Sequence, residues 1–291
     1  MLSILIPTYN YNCSELVHEL HRQANKLGIN YEIIIADDAS TSHLEKIQKL
    51  QELSHCRVIE LSENVGRSRI RNLLADVATY PYLLFMDCDA KMNSPLFIEN
   101  YLPYCIPHCV VVGGTTYDPT EQDSIYSLRL KYGRKRESNQ AFQHYFTTFN
   151  FIIDKRLFQT VRFNEDILDY GHEDSLFGLE IARHTTIQHI NNPLIHNGLD
   201  SNDRFLEKTE KATHNLLQLY NDESHAELVD ASKLLRTYIQ LKQAHLVSFI
   251  AWCFKLCKPL LTKNLMSRNP SLFLFDLYKI GHLCAISEIQ K

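Results

Sequence analysis

Three segments of the chain run apolar and then break into polar residues: SILIPTYN over residues 3–10, YEIIIADD over 31–38 and YLLFMDCD over 82–89. An apolar run without polar alternation is what a β-strand buried on both faces requires, and such strands belong to sheets covered by helices on either side. The intervals supply those helices. Leu16, Leu20, Ala24 and Leu27 share one face after the first run, and Leu44, Ile47, Leu50 and Leu53 recur at helical spacing after the second. A strand from Arg57 to Leu61, a helix from Ile70 to Ala78 and a strand from Cys109 to Val112 continue the alternation. This βαβ series predicts an α/β fold with a Rossmann-like, mostly parallel central sheet and helices on both faces. In an open sheet of that type ligands bind at the carboxyl edge, where the polar ends of the three runs would meet.

From Thr116 to Leu199 the pattern is less regular: a basic stretch RLKYGRKRE, a strand at Thr148 to Ile153, a helix from about His172 to Arg183 and a strand around Ile187. After Asp203 the chain reads as helical to its end, with no repeat or low-complexity tract. The composition, 45% hydrophobic and 22% charged over 291 residues, supports a substantial core. Only nine glycines are present, and neither G-x-x-x-x-G-K-[ST] nor G-x-G-x-x-G occurs, so a bound phosphate is not held by a glycine-rich loop. A net charge of −4 argues against nucleic acid as a partner. The eight cysteines include no C-x-x-C pair, which suits free thiols in a reducing compartment. MLSILIPTYNYN has neither the basic start nor the long apolar run of a signal peptide, and the expectation is a cytoplasmic protein. Leu246 to Phe254 is the longest relevant apolar run, well short of the roughly 18 residues of a membrane span.

Two carboxylates at Asp87 and Asp89, just past a buried strand, can divide their work between a cation and a neighbouring hydroxyl. Hard oxygen donors suit Mg²⁺ or Mn²⁺ bridging to a phosphate. A D-x-D alone is a common accident, so its company matters. IPTYN at 6–10, Asp37-Asp38 followed by Ala39-Ser40-Thr41, ENVGRSRIRN from Glu63, the D-C-D itself and YGHEDSLFGLEI from Tyr170 come in that order. In these five motifs, over about residues 1 to 200, the chain resembles inverting glycosyltransferases of family 2, which have the GT-A fold.

The resemblance implies a catalytic GT-A domain over 1–204, with a nucleotide-binding part at 1–115 and an acceptor part at 116–204; the helical extension at 205–291 carries no family signature. It implies that Pro7, Thr8, Tyr9, Asn10 and Asp38 hold the nucleotide base, most often uracil, with Tyr9 stacking or capping it. Asp87 would touch the ribose, and Asp89 with His196, in PLIHNG, would ligate a divalent metal on the diphosphate. Asn64 and Gly66 would let the backbone approach the donor. Arg67, Arg69 and Arg71 alternate into a helix, so they cannot all share one face; Arg67 and then Arg71 are the candidates for phosphate. Gly114, next to Gly113, would leave room near the donor sugar, or else simply turn the chain.

The Glu173-Asp174 pair opens a helix, and at about 100° per residue the two side chains diverge. In the family's Glu-Asp motif the Asp is the general base, which assigns Asp174 as catalytic and leaves His172 and Glu173 to meet the acceptor. The implied reaction moves a sugar from a nucleotide-diphosphate sugar, UDP first, to a hydroxyl of a carbohydrate or lipid-linked acceptor. Two other readings stand beside it. A nucleotidyltransferase would need a glycine- and lysine-rich N-terminal loop, which IPTYNYNCSEL lacks, and a non-catalytic nucleotide-sugar-binding subunit would not need Asp174.

The basic run Arg129, Lys131, Arg134, Lys135 and Arg136 suits either an acceptor phosphate or a solvated face. Residues 246–291 hold six basic residues against Asp276 and Glu288, a local net charge of +4. Leu246, Phe249, Ile250, Cys253, Leu256, Cys257, Leu260 and Leu261 share one helical face there, with Ser248, Lys255 and Thr262 opposite, and Pro259 is expected to bend or interrupt the helix. That face would dock on the catalytic domain, pair two copies in a homodimer, or make peripheral contact with an anionic membrane.

Overall fold

A computed structural model of the chain describes residues 1–138, 146–167, 171–222 and 228–289. Tyr170 of the fifth motif and Lys291 of the basic C-terminal segment lie outside the described residues. The strands are β1 (Leu2–Thr8), β2 (Tyr31–Asp37), β3 (Cys56–Glu60), β4 (Tyr82–Met86), β5 (Ala90–Lys91), β6 (Val110–Val112), β7 (Thr115–Thr116), β8 (Asn150–Asp154), β9 (Gln188–His189) and β10 (Leu194–His196). The helices begin with α1 (Ser14–Leu27), α2 (Leu44–Gln48), α3 (Arg67–Val77), α4 (Ser127–Tyr132), α5 (Lys155–Thr160) and α6 (Glu173–His184). They continue with α7 (Asn202–Asn221), α8 (Leu228–Ala231), α9 (Lys233–Gln243), α10 (Val247–Leu265) and α11 (Leu272–Ile289).

The chain forms two compact units. The first holds residues 1–118, 137–168 and 176–198; the second holds 119–136, 169–175 and 199–291. In the first, the main sheet runs β3-β2-β1-β4-β8-β6-β9. β3, β2, β1 and β4 are parallel neighbours, while β8 is antiparallel to both β4 and β6. The sheet is therefore mixed and mostly parallel, as the βαβ pattern predicts. A small second sheet, β5-β10-β7, forms where the chain leaves the carboxyl edge of the first.

The unbroken apolar runs are explained by a core on each face. Leu2, Ile4, Ile6, Ile33, Ile35, Leu84 and Met86 point to one side, against Leu16, Val17, Leu20 and Ala24 of α1. Leu5, Ile34, Ala36, Leu83 and Phe85 point to the other, against Ile70, Leu74 and Ala75 of α3 and Phe177 and Ile181 of α6. A strand alternates its side chains between two faces, so when both are covered nearly every position is apolar; the exceptions near the strand starts, Ser3 and Glu32, bond to each other at 2.7 Å. The helix expected over Leu44 to Leu53 is α2 followed by a short 3-10 turn at Lys49–Glu52.

The second unit is helical. Its interior ties include a two-pronged pair between Arg136 and Asp276 at 2.7 and 2.6 Å and a Glu210 carboxylate that accepts from Lys258 Nζ at 2.8 Å and from Tyr278 Oη. α10 packs along α11, where Gly281 admits the Phe254 ring: a Cβ at Gly281 would stand 2.5 Å from it. α10 continues through Pro259 to Leu265 without interruption. Its buried residues are Val247, Ala251, Phe254 and Leu265. This corrects the docking face expected from the sequence, most of which stays outside.

Candidate active site

The carboxyl edge of β1, β2 and β4 gathers most of the residues named from the motifs. Thr8 and Asp37 are register partners at the ends of β1 and β2. Pro7 lies one residue earlier, opposite Ala36. Asn10, at φ 52°, turns the chain so that its side-chain oxygen accepts from Thr41 N at 2.7 Å and Ser42 N at 3.1 Å, while its own N–H donates to Ser40 Oγ at 2.7 Å. Asn10 thus clamps the loop after β1 to the loop after β2. Tyr9, between these anchors, is left half in solvent at 52% exposure. Such a ring is free to cover a base.

Asp38 is buried at this edge and accepts the backbone N–H of Val65 at 2.7 Å and of Gly66 at 3.1 Å. Asn64 donates to the Asp38 carbonyl at 3.2 Å. These bonds place a carboxylate at the start of α3, where a helix favours negative charge. Burial nonetheless pushes the Asp38 carboxyl above its ordinary range, opposed by the two N–H bonds and reinforced by neighbouring Asp37. Gly66 sits at φ 84°, a region that disfavours side chains, and open space surrounds the place a Cβ would occupy. The glycine is needed for the backbone turn, and the turn leaves a gap at the helix N-terminus suited to an anion.

α3 resolves the alternate arginines. Arg67 is exposed, and its charge lowers the proton affinity of both Asp87 and Asp89. Arg69 faces outward near Glu165. Arg71 is buried, donating to Asp87 Oδ1 at 2.8 Å and to Thr148 Oγ1 at 3.2 Å beneath the Phe163 ring. Its place is therefore under the Asp87 carboxylate, holding it.

The two acids of the D-C-D part company. Burial pushes the Asp87 carboxyl up, Arg71 pulls it down, and the charge of Asp89 pushes it up again; the net shift is upward. Asp89 is buried too, but the bond and charge of His196, with Arg67 behind them, hold it below the ordinary carboxylate range. His196 Nε2 lies 3.1 Å from Asp89 Oδ2, because β10 pairs antiparallel with β5 and sets His196 opposite Ala90. Asp89 Oδ1 is buried with no hydrogen-bond partner.

That orphaned oxygen beside an imidazole nitrogen is a donor set that fits a Mg²⁺- or Mn²⁺-class cation whose other ligands are phosphate oxygens and water. Among the described residues no group of three His, Cys, Asp or Glu forms a cage of its own.

Three participants escaped the sequence reading. Gly198 packs directly on Asp89, and a Cβ there would lie 2.4 Å from Oδ2. The Tyr117 hydroxyl stands 3.3 Å from His196 Nδ1 and donates to Glu137. Asn150 at the head of β8 accepts from the Tyr101 hydroxyl and donates to the Gly114 carbonyl. The His-x-Gly spacing of PLIHNG carried a faint signal of the first; contacts spanning 20 and 79 residues carried none of the second. Gly114 is at φ 92°, and a Cβ on Gly113 would strike Asn150, Tyr101 and the Asn192 carbonyl, so this pair serves a turn and a close packing of backbone.

In the second unit, Gly171 and His172 both have positive φ, 99° and 74°, and turn the chain into α6. Asn215 donates to the Gly171 carbonyl, and burial lowers the His172 pKa. Glu173 is buried and Asp174 half-buried, with Asp174 Oδ1 accepting from Ser175 N at 2.7 Å. Of the two acids, Asp174 is the one with access to solvent.

Residues 3–167 match the glycosyl transferase family 2 profile. A chondroitin synthase of Escherichia coli is 25% identical, over 62% of this chain and 32% of that protein. A teichoic acid poly(glycerol phosphate) polymerase of Staphylococcus epidermidis is 24% identical, over 58% of this chain and 24% of that protein. The chain thus spans about a third or less of the length of these curated relatives. Among solved structures, a mannosyltransferase of Pyrobaculum calidifontis in complex with GDP-Man and Mn²⁺ superposes with a TM-score of 0.58 at 14% identity, over 99% of this chain and 86% of that one. S. aureus TarS 1–349 in complex with UDP-GlcNAc gives 0.51 at 18% identity, over 99% and 91%. These two likenesses establish a shared GT-A-like fold.

Proposed function

The chain belongs to glycosyl transferase family 2, and from that premise we propose that it transfers a sugar from a nucleotide-diphosphate sugar to an acceptor hydroxyl with inversion at the anomeric carbon. The observation that carries the reading is the divided D-C-D: one carboxylate kept anionic beside His196 with an orphaned oxygen, the other held by a buried arginine. Neither a nucleotidyltransferase nor a plain binding subunit requires that division together with an intact Glu173-Asp174 pair.

In this reading Tyr9 covers the base, Asp38 and Asn10 keep the base-side loops in place, and Asp87 accepts a hydrogen bond from the ribose. Arg67 and the N-terminus of α3 face the diphosphate. Asp89 and His196 would hold a divalent cation, Mn²⁺ or Mg²⁺, which when bound neutralises charge on the nucleoside diphosphate. Asp174, assigned by its place in the Glu-Asp motif, takes the proton of the acceptor hydroxyl. The acceptor oxygen then bonds to the anomeric carbon as the bond to the diphosphate breaks. His172 and Glu173 shape the acceptor side. UDP is the expected nucleotide and a polysaccharide or glycolipid precursor the expected acceptor, at the cytoplasmic side.

A panel of nucleotide sugars scored by nucleoside diphosphate release tests the donor and the catalysis together. Asp174→Asn is expected to bind donor as the native protein does and to lower turnover by ~10² to 10⁴, the usual contribution of a positioned base. Glu173→Gln is expected to cost less. The opposite order would move the base to Glu173, and retention of configuration in the product, read by NMR, would overturn the mechanism.

A further inference from the structure

Helix α10 is apolar on two opposite faces, and only one of them is covered. At 100° per residue its buried Val247, Ala251, Phe254 and Leu265 fall within about 60° of arc. Phe249, Trp252, Leu256 and Leu260 fall within about 80° on the opposite side. These four are 57%, 58%, 61% and 72% exposed. A solvated helix of a soluble domain carries polar residues on its outward face. Here the outward stripe is aromatic and aliphatic for about 17 Å, at 1.5 Å per residue.

The charge on the helix itself is of one sign. α10 contains no Asp or Glu, and Lys255 and Lys263 are exposed beside the apolar residues, with Arg268 exposed just beyond the helix. Two acids of neighbouring helices bond to α10: Glu210, held by Lys258 and Tyr278, and Glu288, which accepts from Ser248 Oγ at 2.9 Å near the start of the helix. An aromatic and aliphatic stripe flanked by lysines is the pattern of a helix lying in the interface of an anionic bilayer. Among the described residues no single helix is long and apolar enough to cross a membrane; α9 and α10 meet both conditions only together, across a bend of 118°. With its inner face packed on α11, α10 presents its outer face lengthwise to a surface.

We infer that the outward face of α10 docks on an anionic lipid surface, with Phe249, Trp252, Leu256 and Leu260 entering the headgroup boundary and Lys255, Lys263 and Arg268 meeting lipid phosphates. This stands apart from the transferase reading, and either can fail without the other.

Trp252 is the chain's single tryptophan, so the face carries its own reporter. The full chain is mixed with vesicles of phosphatidylcholine containing about one-third phosphatidylglycerol, and with pure phosphatidylcholine. Expected are flotation with the anionic vesicles, a blue shift of Trp252 emission, and quenching by lipids brominated on the acyl chain. High salt weakens all three. Phe249→Gln/Leu256→Gln/Leu260→Gln is expected to lower vesicle affinity at least a hundredfold, at about tenfold per apolar side chain withdrawn. Lys255→Gln/Lys263→Gln is expected to lower affinity for anionic vesicles by more than about tenfold. All five side chains are exposed, so the melting temperature should not move; brominated-lipid quenching of the unaltered protein decides the question even where a variant fails to fold. Absence of flotation and of any Trp252 response overturns the inference. So does a lipid-free blue shift that grows with protein concentration and vanishes in the triple variant, which would assign the stripe to pairing of two copies.

Discussion

Replacing Gly198 with alanine tests the candidate metal site through a residue that ligates nothing. A Cβ at 198 would lie 2.4 Å from Asp89 Oδ2, 2.6 Å from its Cβ and 2.9 Å from its Cγ. The Cβ contact cannot be relieved by rotating the carboxylate, because Cβ is fixed by the backbone. One of two segments must move, and they are tied: Asn197 N donates to the Asp89 carbonyl at 2.9 Å, and Ala90 is the register partner of His196. Overpacking of this kind costs about 1–3 kcal/mol. For a chain of this size that is roughly 2–12 °C of melting temperature, at ~2–4 °C per kcal/mol. The displaced carboxylate also loses its alignment with His196 Nε2, now at 3.1 Å. Disturbing the support of a metal ligand typically lowers metal affinity ~10- to 100-fold. The assay is a Mn²⁺ titration by calorimetry with UDP present, beside a thermal melt, with Asp89→Ala as the limiting case. The expected result is a lower melting temperature and Mn²⁺ affinity between native and Asp89→Ala. Unchanged values of both would refute the packing of Gly198 on Asp89. A lowered melting temperature with native Mn²⁺ affinity would refute Asp89 as a ligand.

Two further perturbations probe the surroundings. Arg71→Met leaves Asp87 without its buried cation, and a broken buried pair costs about 3–5 kcal/mol; Asp87 keeps some solvent access, so urea unfolding should show about 3 kcal/mol. With Arg71 gone nothing so close opposes the burial that already pushes Asp87 upward, and UDP binding by the variant should fail at a higher pH than in the native protein. Glu210 in the second unit is pushed up by burial but brought below its usual 4.5 by Lys258, Tyr278 and His282. A depressed carboxylate contributes stability above its unfolded pKa and loses it as pH falls through the folded one. Glu210→Gln should therefore cost about 1 kcal/mol near neutrality, a screened share of a charge-assisted bond, and the gap to the native protein in urea titrations should close as pH falls below about 4.5. A gap that stays constant through acid pH would show that Glu210 acts by packing alone.

What the sequence made legible follows from which constraints are local. β1, β2 and β4 can be read because burial on both faces keeps their middles apolar, with Ser3 and Glu32 bonded to each other near the strand starts, and the polar C-terminal ends are the candidate site. The arginines of α3 show the boundary of that reasoning. Alternate spacing establishes that they diverge, but that Arg71 goes inward to Asp87 and Thr148 depends on β4 and β8 lying side by side. Tyr117 approaches His196, and Glu137 approaches Tyr117, across stretches of chain with no periodic mark. α10 misled for a different reason. It is apolar nearly all round, so periodicity cannot choose a face, and the choice falls to Gly281, whose missing side chain lets Phe254 in. Pro259 sits on the exposed side of that helix, where the lost hydrogen bond can be met by water.

The opposite shifts of Asp87 and Asp89 give the D-C-D its sense as physical chemistry, apart from any motif. Two carboxylates two residues apart repel, and burial alone would push both upward. Each is instead given a different partner. Arg71 is permanently charged and buried, yet it and Arg67 do not outweigh desolvation together with the charge of Asp89, and Asp87 ends above its ordinary range. A carboxyl so placed suits hydrogen bonding to a neutral hydroxyl. Asp89 meets an imidazole on one oxygen and nothing on the other, and it ends below its ordinary range. An anionic oxygen buried without a donor is costly unless a cation arrives. The folded chain itself supplies the His196 imidazole, 3.1 Å from Oδ2, and an imidazole nitrogen is also a common metal ligand. The Asp89–His196 pair is thus chemically suited to receive a metal, and Gly198, packed on Asp89, leaves the room that keeps the two together.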